Sequence, residues 1–166
     1  MINISKTLSV RQQMRAASVF YNGMFEFEDF YIPADEVVYK KNLILNTKLN
    51  RELSQIMEDD DILVKSVKIS SQSYKTGDLL AVRVTDVDSI DAGIVVAILV
   101  KSTDVYFICK MHSCTRNFLQ YFESHSSDPN LSCINSKEIA DYKPLVKRGS
   151  MDKFVFFLHH RIRKGL

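Results

Sequence analysis

The residues with the most chemical reach lie in two short runs. Cys109–Cys114 reads CKMHSC, with His125 and Cys133 further on, and Phe156–Lys164 reads FFLHHRIRK. Thiolates and imidazoles at short spacing are the ligand set of zinc. The chain around Cys109 has strand character, however, and a strand sends successive side chains to opposite faces. Cys109 and His112 then face apart, while His112 and Cys114 share a side. No CxxC pair supplies a tight hook. The expected role of these cysteines is that of small, half-buried hydrophobes, with no metal bound. On a strand, His159 and His160 also face opposite ways and cannot hold one ion together.

Catalytic signatures are missing in the same way. There is no GxSxG elbow, no HExxH and no HxE…PCxxC, and no Ser or Cys sits in a nucleophile motif. Asp86, Asp88 and Asp91 resemble a metal loop, but counting from Asp86 the sixth and twelfth positions hold Asp91 and Ala97, where a calcium loop needs Gly and Glu. Tyr74–Val84 reads YKTGDLLAVRV, and its single glycine is too few for a phosphate cradle. Gly77 and Asp78 instead make a turn that feeds a strand. The expectation is a protein that is not an enzyme and carries no cofactor.

The elements that hold these residues change character along the chain. Ser5–Phe20 is predicted helical, with Leu8, Val10, Met14, Ala17 and Val19 on one side. Met24–Pro33 alternates Phe25 and Phe27 with Glu26 and Glu28, a short strand or extended arm. Asn42–Met57 is predicted as a second helix, with an apolar stripe of Leu45, Leu49, Leu53, Ile56 and Met57. Glu58–Asp61 is acidic and belongs to the following loop, since acids oppose the dipole at a helix C-terminus. From Ile62 the period is two. Strands are expected at Leu63–Ser70, Leu79–Val84, Ala92–Val100 and Val105–His112, then Phe118–Phe122, Ile134–Ile139 and Phe154–His160. Turns fall at Ser70–Ser73, Lys75–Asp78, Asp86–Asp91, Lys101–Asp104 and Ser124–Asn130. The fold class is α+β and mostly β: a small antiparallel meander or partly open barrel behind one or two N-terminal helices. Residues 1–60 form a helical and extended arm, and 61–166 a β domain, together one structural unit.

Composition sets the outer limits. The chain has 166 residues, 46% of them hydrophobic and 25% charged, the balance of an ordinary globular protein. Three cysteines are an odd number, which argues against a disulfide framework and for reduced thiols in the cytoplasm or nucleus. No apolar run approaches the roughly 18–20 residues of a membrane span. The net charge of +2 predicts no partner by itself. Its distribution is uneven, because Lys143, Lys147, Arg148, Lys153, Arg161, Arg163 and Lys164 crowd the C-terminal end against one acid, Asp152.

A wider pattern runs through Val67, Tyr74, Gly77, Gly93-Ile94, Tyr106-Phe107, Pro144-Leu145 and Leu158-His159-His160. It resembles the C-terminal β-rich region of multicopy animal proteins of mobile-element origin, and Thr7–Phe20 resembles the helix before that region. No activity comes with the resemblance. The segment between helix and sheet is abbreviated here, as in a truncated copy. YKTGDLLAV followed by GIVVAIL is also similar to the opening of bromo-adjacent homology modules, chromatin-associated β barrels. Two readings follow. The first is a non-catalytic intracellular interaction module for a protein or peptide. The alternative is a nucleic-acid- or chromatin-associated domain, in which Lys143, Lys147, Arg148, Arg161, Arg163 and Lys164 meet phosphates.

Overall fold

The computed structural model describes residues 24–26, 30–33 and 37–158. The expected helix Ser5–Phe20, both C-terminal histidines and Arg161, Arg163 and Lys164 lie outside the described residues. Among the described residues twelve strands and one α-helix follow in order: β1 (Met24–Glu26), β2 (Phe30–Pro33), β3 (Val38–Tyr39), α1 (Lys48–Ile56), β4 (Ile62–Val64), β5 (Ser66–Ile69), β6 (Gln72–Lys75), β7 (Leu79–Asp86), β8 (Ser89–Lys101), β9 (Asp104–Arg116), β10 (Phe122–Asn135), β11 (Lys147–Gly149) and β12 (Phe154–Phe156). One sheet runs β1-β2-β5-β6. The other runs β11-β12-β10-β9-β8-β4-β3, with β7 also paired to β8. The pairs β1-β2, β2-β5, β3-β4, β4-β8, β7-β8, β10-β12 and β11-β12 are antiparallel, and the sheets do not close into a barrel. The protein is thus mostly β, with a small helical component.

The chain divides into two compact units that share the long strands β8 and β9. The first comprises residues up to Tyr74 and Ala97–Tyr106. Its helix starts later than the sequence period suggests. Thr47 is the reason: its extended backbone and its hydroxyl, which accepts from Asn50 N at 3.1 Å, fix the N-cap. Of the predicted stripe only Leu53 and Met57 are buried, while Leu45 and Ile56 are exposed. After the helix, Asp61 is buried, accepts from Glu58 N at 2.8 Å and pairs with Lys101 Nζ at 2.7 Å. One member of the acidic quartet is therefore a structural anchor. Ser70 and Ser71, both with positive φ (46° and 72°), make the two-residue turn between β5 and β6.

The second unit comprises Lys75–Val96 and the chain from Phe107 onward. It opens with the predicted Lys75–Asp78 turn. Gly77 takes φ +94°, its N–H donates to Val95 O at 2.7 Å, and the Asp78 carboxylate accepts from Lys75 N. The period of two then puts Leu79 and Ala81 of β7 and Ile90, Ala92 and Ile94 of β8 into one core with Cys114, Phe122, Leu145, Phe154 and Phe156. Phe122 and Phe156 are register partners whose rings stack at 5.4 Å. Gly93 lies on the opposite face of β8, where a Cβ would come within 2.9 Å of Cys109 Cβ. Leu145 N donates to Leu79 O, and Ala140 N to Ala81 O, so the segment before β11 lies along β7.

Three sequence expectations change here. Phe118–Leu119 is a hairpin turn, and the strand starts at Phe122. Ser124–Asn130, expected as a turn, belongs to β10. Pro129 is tolerated because β12 pairs only with Phe122 and Glu123, leaving that stretch without a ladder partner on the β12 side among the described residues. Ile134–Ile139 gives up its strand at Asn135, whose side chain accepts from Lys137 N and starts a 3-10 turn.

Candidate functional site

Among the described residues, the cysteines and histidines singled out from the sequence occupy separate environments. Cys109 and Cys114 are buried and Cys133 is exposed. Burial pushes the Cys109 thiol up to about 12, with Cys133 adding to the rise. Burial likewise raises Cys114 to about 12; Asp91 acts in the same direction and a backbone hydrogen bond from Ala92 opposes it. Both are thiols, not nucleophilic thiolates, at neutral pH. His112 is 1% exposed, and neither ring nitrogen has a hydrogen-bond partner among the described residues. Its ring meets Phe154 edge-on at 4.9 Å. Burial holds its pKa below the ordinary histidine value, Lys110 acts in the same direction, and Asp152 opposes. His125 is exposed and hydrogen-bonds Thr115 across the strands, with no third group orienting its other nitrogen among the described residues. The described residues contain no group of three or more His, Cys, Asp or Glu side chains able to hold a metal.

The predicted phosphate-binding residues are divided. Lys143 is exposed in the segment before β11, and Lys147 and Arg148 lie on β11. Register separates the latter two. Lys147 is opposite the inward Phe156, and Arg148 is opposite Val155 on the outer face. Neighbours on a strand cannot line one track of phosphates. Arg161, Arg163 and Lys164 lie outside the described residues.

The feature missed by sequence reading is the β9–β10 hairpin tip. Asn117 holds this loop from several sides. Its N–H donates to Tyr121 O at 2.9 Å and its carbonyl accepts from Gln120 N at 3.0 Å. Its side-chain oxygen accepts from Leu119 N and Tyr121 N, and its amide donates to Glu123 Oε1 at 2.9 Å. Gln120 completes the turn with φ +71°. The loop so fixed leaves Phe118 87% and Leu119 55% exposed. Tyr121, which closes it, meets Phe157 edge-on at 5.4 Å, and Phe157 is itself 53% exposed. On the other side Arg116 N donates to Asp88 O at 2.8 Å, joining the base of the loop to the β7–β8 turn with its exposed Val87. The Arg116 guanidinium lies over the Phe122 ring at 5.1 Å. The sequence signal was Asn117 itself, a turn-forming side chain just ahead of two large apolar residues.

The hydrogen-bonded loop presents large apolar side chains, Phe118 and Leu119, to solvent. It can dock. No family model matches this chain, and no curated protein or solved structure matches it either. No helix among the described residues is long and apolar enough to cross a membrane.

Proposed function

We propose that this protein is a non-catalytic interaction module that binds a protein partner, seating Phe118 and Leu119 in an apolar pocket of that partner. One observation carries the reading: the Asn117-braced loop holds Phe118 at 87% exposure. A phenylalanine left in water forgoes roughly 1.5–3 kcal/mol of burial. A loop already fixed by hydrogen bonds loses little entropy on docking, so that burial converts efficiently into affinity. Large aromatic anchors in a rigid setting are the residues that dominate interface energetics.

The test places a photo-crosslinking phenylalanine analogue at position 118 in cells. It is expected to trap one discrete protein adduct. Phe118→Ser, with an unchanged circular dichroism spectrum, is expected to weaken capture of that same protein by about tenfold or more, the scale of a hot-spot residue. A folded protein that gives no adduct, or a serine variant that captures the partner as well as the parent, overturns the reading.

A further inference from the structure

We propose that the free edge of β11 takes an acidic, extended segment of a protein partner as an added strand. This rests on the reading of the chain as a protein-binding module, and it names a second contact surface with its own chemistry.

The backbone argument starts at the β11–β12 turn. Ser150 N donates to Lys153 O at 2.9 Å, which makes that pair a hydrogen-bonded one. Antiparallel partners alternate between bonded and non-bonded pairs. With Gly149 opposite Phe154 and Arg148 opposite Val155, the next bonded pair is Arg148–Val155. The N–H and C=O groups of Lys147 and Gly149 then turn away from β12. Two neighbouring contacts agree with this assignment. Phe154 N, the group opposite Gly149, donates away from β11 to Ser124 Oγ at 2.9 Å. Leu145 N, two residues before Lys147 and so on the same side, donates to Leu79 O. After that bridge β7 gives way to the Gly77 turn, and no strand among the described residues covers Lys147–Gly149. Arg148 and Gly149 on this edge are exposed, and Lys147 is half-buried.

The charges select the occupant. Lys143, Lys147, Arg148 and Lys153 make no ion pair among the described residues, while the nearby acids are committed. Asp152 pairs with Lys110 at 3.1 Å, Glu123 accepts from Asn117, and Asp141 is buried and accepts from Lys143 N. Short, charged edges also serve to repel other chains. The repelled partner in that case is another basic or apolar strand, and an acidic one is attracted. Lys147 and Arg148 sit on opposite faces of the sheet, and an added strand presents successive side chains to opposite faces. Adjacent acids in the incoming segment would therefore each meet a base. Main-chain bonds give such an addition its affinity and the flanking charges give it selectivity.

The probe is a fluorescein-labelled octapeptide with a Glu-Glu-Asp centre flanked by Val and Thr, titrated with the full chain by fluorescence anisotropy. Saturable binding is expected, with the amides of Lys147 and Gly149 gaining protection from hydrogen exchange. Arg148→Glu is expected to weaken binding at least tenfold, and Phe118→Ser to leave it unchanged. Three results overturn the inference: no saturable binding, equal binding by Arg148→Glu, or an oligothymidylate that binds more tightly and displaces the peptide. If any of these occurs while the position-118 crosslink still forms, the β11 inference falls and the module reading stands. If the crosslink is absent while the peptide binds as described, the docking role of Phe118 falls and the edge site stands.

Discussion

Replacing His112 with leucine is expected to stabilise the protein, a counterintuitive outcome for a fully enclosed core position. The imidazole is 1% exposed and both nitrogens lack partners among the described residues. Leaving a buried polar group unsatisfied costs about 1–3 kcal/mol. The change also removes the edge-on contact with Phe154 at 4.9 Å, a contact of a kind worth about 0.5–1.5 kcal/mol. Leucine is close to histidine in volume, so cavity and overpacking terms are small. The balance favours His112→Leu by about 1 kcal/mol at pH 7.5, or roughly 2–4 °C in melting temperature. The pH dependence gives a sharper test. Burial and Lys110 lower the folded pKa below the unfolded value of 6.5, outweighing Asp152. The unfolded chain therefore binds the proton first as pH falls. The contribution of neutral His112 is fully present above about pH 6.5 and is lost as pH falls from there towards the folded pKa. Urea unfolding of parent and variant at pH 7.5, 6.5 and 5.5 should show the variant's advantage growing with acid. An advantage that stays constant, or a leucine variant less stable than the parent at pH 5.5, would refute the assignment of His112 as an unpartnered, neutral core group.

Two further outcomes are expected. Gly93→Ala should destabilise the second unit by about 1–3 kcal/mol, because the new Cβ would meet Cys109 Cβ at 2.9 Å and Met111 Sδ at 3.0 Å; thermal melting checks this, and an unchanged midpoint would mean that β9 yields freely. Iodoacetamide at pH 8 should modify Cys133 in the native protein and leave Cys109 and Cys114 unreacted, since both buried thiols are raised to about 12; peptide mass mapping with and without denaturant reads the difference, and prompt native labelling of Cys109 would contradict its enclosure.

The sheet was legible in the sequence because alternation is a direct consequence of burying one face of a strand. Ile90, Ala92 and Ile94 of β8 and Phe154 and Phe156 of β12 all enter the same core at a spacing of two. Alternation is blind where a strand stops for local reasons. Asn117 ends β9 through its own side-chain and backbone bonds, so the apolar Phe118 and Leu119 read as strand when they are the exposed tip. The reverse error arose at Ser124–Asn130, whose composition is that of a turn. With little on either side to bury, that part of β10 carries polar residues and still runs extended. Charge counting found the basic C-terminal end. Only register could show that Lys147 and Arg148 belong to opposite faces.

The outward position of Phe157 follows from the same geometry and bears on function. Phe154 and Phe156 must face inward to complete the core, and Phe156 is fixed there by its stacked contact with Phe122. In extended chain the next residue then faces outward, and a polar side chain would serve solubility better at that position. The sequence places a third ring there instead, against Tyr121 at the foot of the braced loop. Folding of the second unit accounts for the two inward rings and makes no demand for the outward one, nor for Phe118 at the tip. Both rings carry a hydration penalty in the isolated chain that a docked partner would remove. The stability of this unit is thus built from one set of aromatic residues, and its candidate contact surface from another.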